Sequence, residues 1–332
     1  MRHHLPGKRT FFVRSVFPVL LIVVILFLSA CVPDAGKALT VSVAEQYGLA
    51  YAPLQIMREK GFLEAAMQDR EKGGRPVTVN WVRLANTSAI REAMLANEID
   101  VAFTGIPPFL LGVDQGMPWR MITGLSRCPV DLYVNDPSLT TLAALVGKHR
   151  IALPQPGSIQ HVLLAMAAER ELDRADIFDR QLVSMKHPDG MQALLSGKDI
   201  TAHFTAPPYS FLEEDTAGIH PLLRGESAMG EPYSFLVGIA EPEFYEDTLR
   251  LDAFRDALER AILFIAENPG ETARLLAESY GLTPEETETY LYGRDIFFET
   301  EIRGTETFVD FMVRTGYLQR RLALRELVPE EK

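Results

Sequence analysis

From residue 38 onward, short apolar segments with strand periodicity alternate with helical segments. This alternation restricts the chain to α/β architectures built from βαβ units with largely parallel sheets. Residues 39–44 alternate apolar and polar side chains as a strand does, and residues 51–67 carry helical spacing with Pro53 near the start. Residues 77–84 read as a strand, 88–96 as a helix, and 100–104 as a short apolar strand running into Gly105-Ile106-Pro107. Residues 119–125 and 132–134 are again extended. A second series begins near Asp136-Pro137-Ser138, with a helical turn at 142–146 and a strand at 149–153 that ends in Pro154-Gln155-Pro156-Gly157-Ser158. A helix through Arg170, a strand at 182–185, a helix at 189–195 and a strand at 200–204 complete it, before Pro207-Pro208. After one more strand at 235–239 the chain turns helical at 251–268, 270–280, 284–292 and 306–318, punctuated by Pro269 and Gly281. Two α/β series and a helical end imply two lobes with a cleft between them. Spacing alone does not return the end of the chain to the first lobe.

Arg2, Lys8, Arg9 and Arg14 precede a stretch from Ser15 to Ala30 without a charge, the basic and apolar parts of a secretory signal. Its 16 residues fall short of the ~20 that a membrane-spanning helix needs, which favours a cleaved signal over a retained anchor. The stretch ends in Leu28-Ser29-Ala30-Cys31, which resembles the bacterial lipobox. The resemblance implies that residues 1–30 are removed, that Cys31 is lipidated and that 31–37 form a tether. More than one acyl chain is what stable attachment to a membrane requires. Val32 follows the cysteine in place of aspartate, which in a cell with two membranes points to outward sorting.

The formal net charge is −12, and the signal removes basic residues but no acid, so the body is more acidic still. Such a surface lacks the basic footprint that nucleic acid requires. Cys128 is the only cysteine besides Cys31, so no intramolecular disulfide forms once Cys31 is lipidated, and Cys128 reads as a small, partly buried hydrophobe. The seven histidines include no H-E-x-x-H and no tight pair with ligand spacing, and there is no G-x-S-x-G elbow. The carboxylates of Glu213-Glu214 and of Glu285-Glu286 are adjacent in helical segments and do not face each other. No catalytic group, metal or cofactor is expected.

Five stretches carry a family resemblance: VSVAEQYGLAYAPLQIMREKGFLE at 41–64, VNWVRLANTSAIREAMLANEIDVAFTG at 79–105, RIALPQPGSIQHVLLAM at 150–166, VSMKHPDGMQALLSGKDITAHFTAPP at 183–208, and FVDFMVRTGYL at 308–318. In this order they resemble the substrate-binding proteins of ABC importers, in the subgroup for nitrate, sulfonate, taurine and related compounds, and the similarity spans residues 38–320. The resemblance implies a type II periplasmic-binding-protein fold, α/β and two-lobed, with two mixed sheets flanked by helices, a hinge and a central cleft. Lobe one would combine residues 38–134 with 236–332, lobe two would be 135–235, and the hinge would lie near 132–134 and 235–237. It further implies a monomeric, lipid-anchored receptor outside the cytoplasm that hands a small molecule to an ABC permease and its ATPase. A binding module reporting to a membrane sensor, and an enzyme like the pyrimidine synthases of the same fold family, are the alternatives. The lone Cys128 speaks against the latter.

Ligands of open α/β sheets gather at the carboxyl ends of strands, where helix N-termini face the crevice. Three turns fit this rule: Asn86-Thr87-Ser88, Thr104-Gly105-Ile106, and Gly157-Ser158-Ile159-Gln160. Each offers backbone N–H groups and a hydroxyl or amide to an oxyanion, although Ser, Thr and Asn at a helix start also serve as ordinary caps. Tyr47 follows the first strand where the resemblance places ligand contacts, and His203 closes the strand ITAHF with Thr205 just beyond. Plain packing for Tyr47 and a structural hydrogen bond for His203 are the competing roles. His187, in KHPDG, reads as a helix-start residue, and His161 points to either the cleft or the core. The acidic surface repels anions at long range, yet within about one Debye length, ~8 Å, local N–H groups dominate. The ligand expected is therefore a sulfonate, nitrate, taurine or a thiamine-precursor-like heterocycle.

Overall fold

The computed structural model describes Met1 and residues 38–329, so the expected lipid site Cys31, the tether and all of the signal after Met1 lie outside the described residues. Along the chain the elements are β1 (Leu39–Glu45), α1 (Ala52–Glu59), α2 (Phe62–Arg70), β2 (Val77–Arg83), α3 (Thr87–Leu95), β3 (Val101–Thr104), α4 (Ile106–Asp114), β4 (Arg120–Arg127) and β5 (Asp131–Val134). There follow α5 (Leu142–Leu145), β6 (Ile151–Leu153), α6 (Ile159–Leu172), β7 (Leu182–Ser184), α7 (His187–Ser196), β8 (Ala202–Thr205), α8 (Tyr209–Glu214), β9 (His220–Arg224) and α9 (Gly225–Met229). The chain ends with β10 (Leu236–Ala240), α10 (Pro242–Tyr245), α11 (Thr248–Glu267), α12 (Pro269–Tyr280), α13 (Pro284–Gly293), β11 (Phe297–Phe298), α14 (Thr305–Arg314) and α15 (Leu324–Leu327).

Two mixed sheets result. A six-stranded sheet runs β11-β4-β10-β3-β1-β2, and a five-stranded sheet runs β7-β6-β8-β5-β9. In the first, β1 pairs in parallel with β2 and β3, while β10 lies antiparallel between β3 and β4. In the second, β6 is parallel to β7 and β8, and β5 is antiparallel to β8 and β9. Every residue of β3, β5 and β10 is buried, the signature of strands covered on both faces. Helix α11 supplies part of that cover. It buries Leu251, Phe254, Leu258, Ala261 and Ile265 along one stripe, and Phe254 stacks on Phe103 of β3 at 6.1 Å between ring centroids.

The helix expected at 51–67 is two helices. It breaks because Gly61 adopts φ 62, a left-handed conformation that needs no Cβ to be accommodated. The segment after Gly105 forms α4, where Pro107 and Pro108 sit in the first turn and cost no hydrogen bond there. The expected hinge positions also move. Residues 131–134 are paired on both edges within the five-stranded sheet, and Leu236 and Val237 are paired within the six-stranded one. The chain therefore passes between the sheets at 128–130 and at 230–235.

Near the first passage, Gly124 of β4 donates from its N–H to the Thr300 carbonyl at 2.7 Å, and a Cβ there would collide with the backbone oxygen of Glu301. Gly124→Ala is expected to lower stability by ~1–3 kcal/mol, the range for overpacking a tight site. An unchanged midpoint in urea unfolding would mean that residues 299–301 are not held against β4.

Candidate functional site

The carboxyl ends of β1, β2 and β3 face those of β6 and β7 across a narrow cleft. A cavity of ≈ 40 Å³ lies there. One wall holds Gln46, Tyr47, Tyr51, Thr87 and Gly105, the other Ser158, Ile159, Gln160, Lys186 and His187, and Phe235 lines it from the second passage. A neighbouring cavity of ≈ 210 Å³ shares Thr87 and reaches Ser88, Thr104, Trp119 and Gln155. The cleft is narrow because the halves touch. The Ser88 N–H and hydroxyl both donate to Oε1 of Gln155, at 3.2 and 3.1 Å. The Leu49 N–H donates to the Pro207 carbonyl at 3.0 Å. A Cβ on Gly105 would stand 3.1 Å from Cβ of Ile159. A much larger recess, ≈ 1090 Å³, opens beside the two chain passages and is lined by Arg127, Arg224 and Arg294 and by acids that include Asp131, Glu214 and Asp215. Its arginines are already paired: Arg127 with Glu299 and Arg224 with Asp131 and Glu214, each at 2.6 Å, and Arg294 with Asp215 at 2.5 Å. Size notwithstanding, the strand-end cleft is the better candidate, because several helix starts and neutral polar groups from both halves converge on it.

Each helix start on the cleft has its own local partners. Asn86 caps α3, its side chain accepting from the Ala89 N–H at 3.0 Å, and Thr87 Oγ1 lies 3.0 Å from Thr104 Oγ1. Ser158 caps α6, accepting from the His161 N–H at 3.3 Å, and the Gly157 N–H donates to Nδ1 of His161 at 2.9 Å. Gly157 adopts φ 79, and a Cβ there would press on Leu111. At the third start, Ile106 is buried and followed by two prolines, which bring no N–H to the first turn. The caps therefore take the Ala89 and His161 N–H groups and Gln155 takes that of Ser88, while prolines remove two donors from the third turn.

Beneath Tyr47 lies a buried charge cluster. Oε1 of Glu45, a residue only 1% exposed, accepts from Arg58 at 3.1 Å and from Arg83 at 2.7 Å, and the Arg83 guanidinium lies 5.6 Å from the Tyr47 ring centroid. Burial, and next the Glu45 carboxylate, push the Tyr51 phenol well above its usual value. Tyr280 donates to the Gly48 carbonyl at 2.8 Å, bracing the β1–α1 loop against the cleft.

His203 and Thr205 are fully buried behind the cleft wall rather than in it. His203 contacts Glu213 through Nδ1 at 2.5 Å, and Thr205 Oγ1 lies 3.1 Å from Nδ1 of His187. The imidazole that reaches the cavity is His187, in the first turn of α7. Its pKa is lowered to about 3 by burial and then by His203, so it is neutral. His161 instead bonds Asp179 at 3.0 Å. Sequence reasoning gave His187 only a helix-start role and passed over Gln46, Tyr51, Lys186 and Phe235 as cleft residues. The strand-end rule would have found Lys186 and His187, since they follow β7 as Ser158 follows β6.

Among the described residues, no group of three or more His, Cys, Asp or Glu side chains is placed to hold a metal, and no helix is long and apolar enough to cross a membrane. The model of the NMT1-like family matches residues 37–241. No curated protein matches the chain. Among solved structures, the alkanesulfonate-binding protein SsuA from Xanthomonas axonopodis pv. citri bound to MOPS aligns with a TM-score of 0.72 at 18% identity, covering 88% of this chain and 99% of that one. The periplasmic aliphatic sulphonate-binding protein SsuA from Escherichia coli aligns with a TM-score of 0.67 at 18% identity, covering 88% and 98%. The periplasmic nitrate-binding protein NrtA from Synechocystis PCC 6803 aligns with a TM-score of 0.63 at 17% identity, covering 85% and 83%. At these identities the likeness establishes the periplasmic-binding-protein fold.

Gly105 and Ile159 belong to opposite halves, so extra volume there acts on their approach more than on either core. Gly105→Val is expected to increase the radius of gyration in small-angle X-ray scattering while leaving the circular-dichroism spectrum unchanged. An unaltered radius would mean that this contact does not limit how closely the halves approach.

Proposed function

The chain belongs to the NMT1-like family, and on that footing we propose that it is an extracytoplasmic receptor that captures a small molecule between its halves and delivers it to an ABC permease. The observation that carries this reading is the cleft itself. Two separate sheets present strand ends and helix starts to one another, and side chains from both meet around one small cavity. A solute seated there touches both halves only when they are together, so its binding energy favours the closed arrangement.

In this reading residues 38–127, together with the part from β10 onward, form one lobe, and residues 131–229 form the other. The passages at 128–130 and 230–235 act as the hinge. A ligand larger than a few water molecules enters only when the Ser88–Gln155 and Gly105–Ile159 contacts part, since ≈ 40 Å³ is too little for it. The receptor works as a monomer and performs no chemistry on its ligand. The signal at 1–30 and the lipobox cysteine Cys31 fix it to the outer face of a membrane, where it meets its permease. The candidate ligands are sulfonates, nitrate, taurine and thiamine-precursor-like heterocycles. Tyr47, Thr87, Gly105, Ser158 and Gln160 line that cavity and are the groups such a solute meets, with Thr104 bonded behind Thr87.

Two measurements test this. In a thermal-shift screen of residues 32–332, the true ligand is expected to stabilise by ~2.7 kcal/mol at a hundredfold excess over its dissociation constant. No shift with any member of the four classes would remove the proposed ligands. In cells, Cys31→Ser is expected to move the protein from the membrane fraction to the soluble one and to abolish incorporation of labelled palmitate. Retention of the variant on the membrane would refute the anchor.

A further inference from the structure

Beside the recess at the chain passages, the end of one helix from each half grips the other. α8, followed by Asp215, packs on β5 and β9 of the five-stranded sheet, and α13, followed by Arg294, packs on α12, which lies against α1 of the other half. The Arg294 guanidinium donates to Oδ1 of Asp215 at 2.5 Å, and the Tyr290 hydroxyl donates to Oδ2 of the same carboxylate at 3.1 Å. The rings of Phe211 and Tyr290 meet at 5.2 Å between centroids, and the guanidinium lies 5.2 Å from each centroid. Phe211 and Tyr290 are 2% and 5% exposed, although they come from different halves.

Taken alone, Arg294 and Asp215, with side chains 27% and 45% exposed, would contribute little as an ion pair. Here two aromatic rings place the guanidinium and each carboxylate oxygen has its own donor, so charge, rings and hydroxyl all hold one geometry. Both of those donors come from the opposite half. Asp215 also stands at the C-terminal end of α8, where helix carbonyls disfavour an anion, and Glu214 precedes it. Glu214 is held within its own half by Arg224 at 2.6 Å and lies 3.9 Å from Arg294. Parting the halves would therefore uncover two aromatic faces and leave the Asp215 carboxylate beside Glu214 without its arginine. The contacts at the cleft, by comparison, are hydrogen bonds between neutral groups and a close approach of Gly105 to Ile159. Elsewhere the halves share the pair of Arg314 with Glu169, whose side chains are 60% and 33% exposed.

We propose that the contact of α8 with α13 is a clasp that holds the two halves together before any ligand binds, so that the receptor awaits its solute largely closed and admits it during transient release of the clasp. The inference rests on the division into two lobes proposed above. Such a clasp acts on binding without touching the ligand. The apparent dissociation constant scales inversely with the fraction of molecules already in the competent arrangement, so a clasp that raises this fraction tightens binding of whatever the cleft accepts.

Small-angle X-ray scattering of the unliganded protein decides this, with circular dichroism to confirm that each variant is folded. The wild type is expected to scatter as the arrangement with both halves in contact. Arg294→Ala and Asp215→Ala are each expected to lower the ratio of closed to open molecules at least ~tenfold, the scale of a charge-assisted hydrogen bond together with a cation–π contact, and so to enlarge the radius of gyration. Because the two residues serve one contact, the double variant is expected to expand no further than either. Tyr290→Phe removes only a hydroxyl, is expected to expand the protein less, and gives the reading if an alanine variant does not fold. Arg314→Ala is expected to leave the radius unchanged. A wild type that is already open, or unchanged radii in Arg294→Ala, Asp215→Ala and Tyr290→Phe, overturns the clasp, and so does an equal expansion in Arg314→Ala. If Gly105→Val expands the protein and these variants do not, the clasp alone fails; if no variant changes the radius, Gly105→Val included, the two-lobe reading fails with it.

Discussion

The architecture depends on one strand. β10 enters the six-stranded sheet antiparallel between β3 and β4, more than a hundred residues along the chain from either, and every residue of it is buried. Because it fills the middle of that sheet, the intervening chain is excluded from it and builds a second sheet of its own. Two passages between the sheets follow from this, as does an open boundary between the halves. A long return of this kind costs loop-closure entropy, and the burial of a wholly apolar strand with α11 packed over it offsets that cost.

The boundary is polar because strand ends and helix starts are polar. Where they meet, some donors are used within the protein: Asn86 and Ser158 cap their helices, and Gln155 reaches across to Ser88. What stays distinctive is the mixture of neutral side chains, with Gln46, Thr87, Gln160 and His187 beside Tyr47, Tyr51 and Phe235. Lys186 is the one ionised side chain that lines this cavity, and its ammonium lies 3.6 Å from Asp189. In such a wall a mismatched buried donor or acceptor costs ~1–3 kcal/mol.

The local structure at several candidate-site residues was legible because their chemistry is local. Asn86 and Ser158 announce helix starts after strands, and Gly157 announces a turn with positive φ. Their caps form within three residues, so sequence spacing is enough. His203 was legible only as a polar residue closing a strand. Its burial against Glu213 depends on how α8 folds back on β8, over a separation of ten residues. His187 was read as a helix start, and it is one. That it also faces the cavity depends on how α7 sits against the opposite half. The split between α1 and α2 was missed for a local reason, since Lys60-Gly61 interrupts an otherwise continuous apolar stripe without disturbing its period.

By itself, the sequence determined the alternation of strands and helices, the positions of most of them, the polar helix starts after the strands, and the basic, apolar and cysteine pattern of the N-terminus. These depend on hydrophobic period, caps and turns, all of which act over a few residues. The tertiary structure alone decided that β10 returns to the first sheet, that 131–134 belongs to the second, and which imidazole reaches the cavity. Those outcomes come from competition among distant segments for the same buried surface. An apolar strand carries the same pattern whichever buried edge it finally joins.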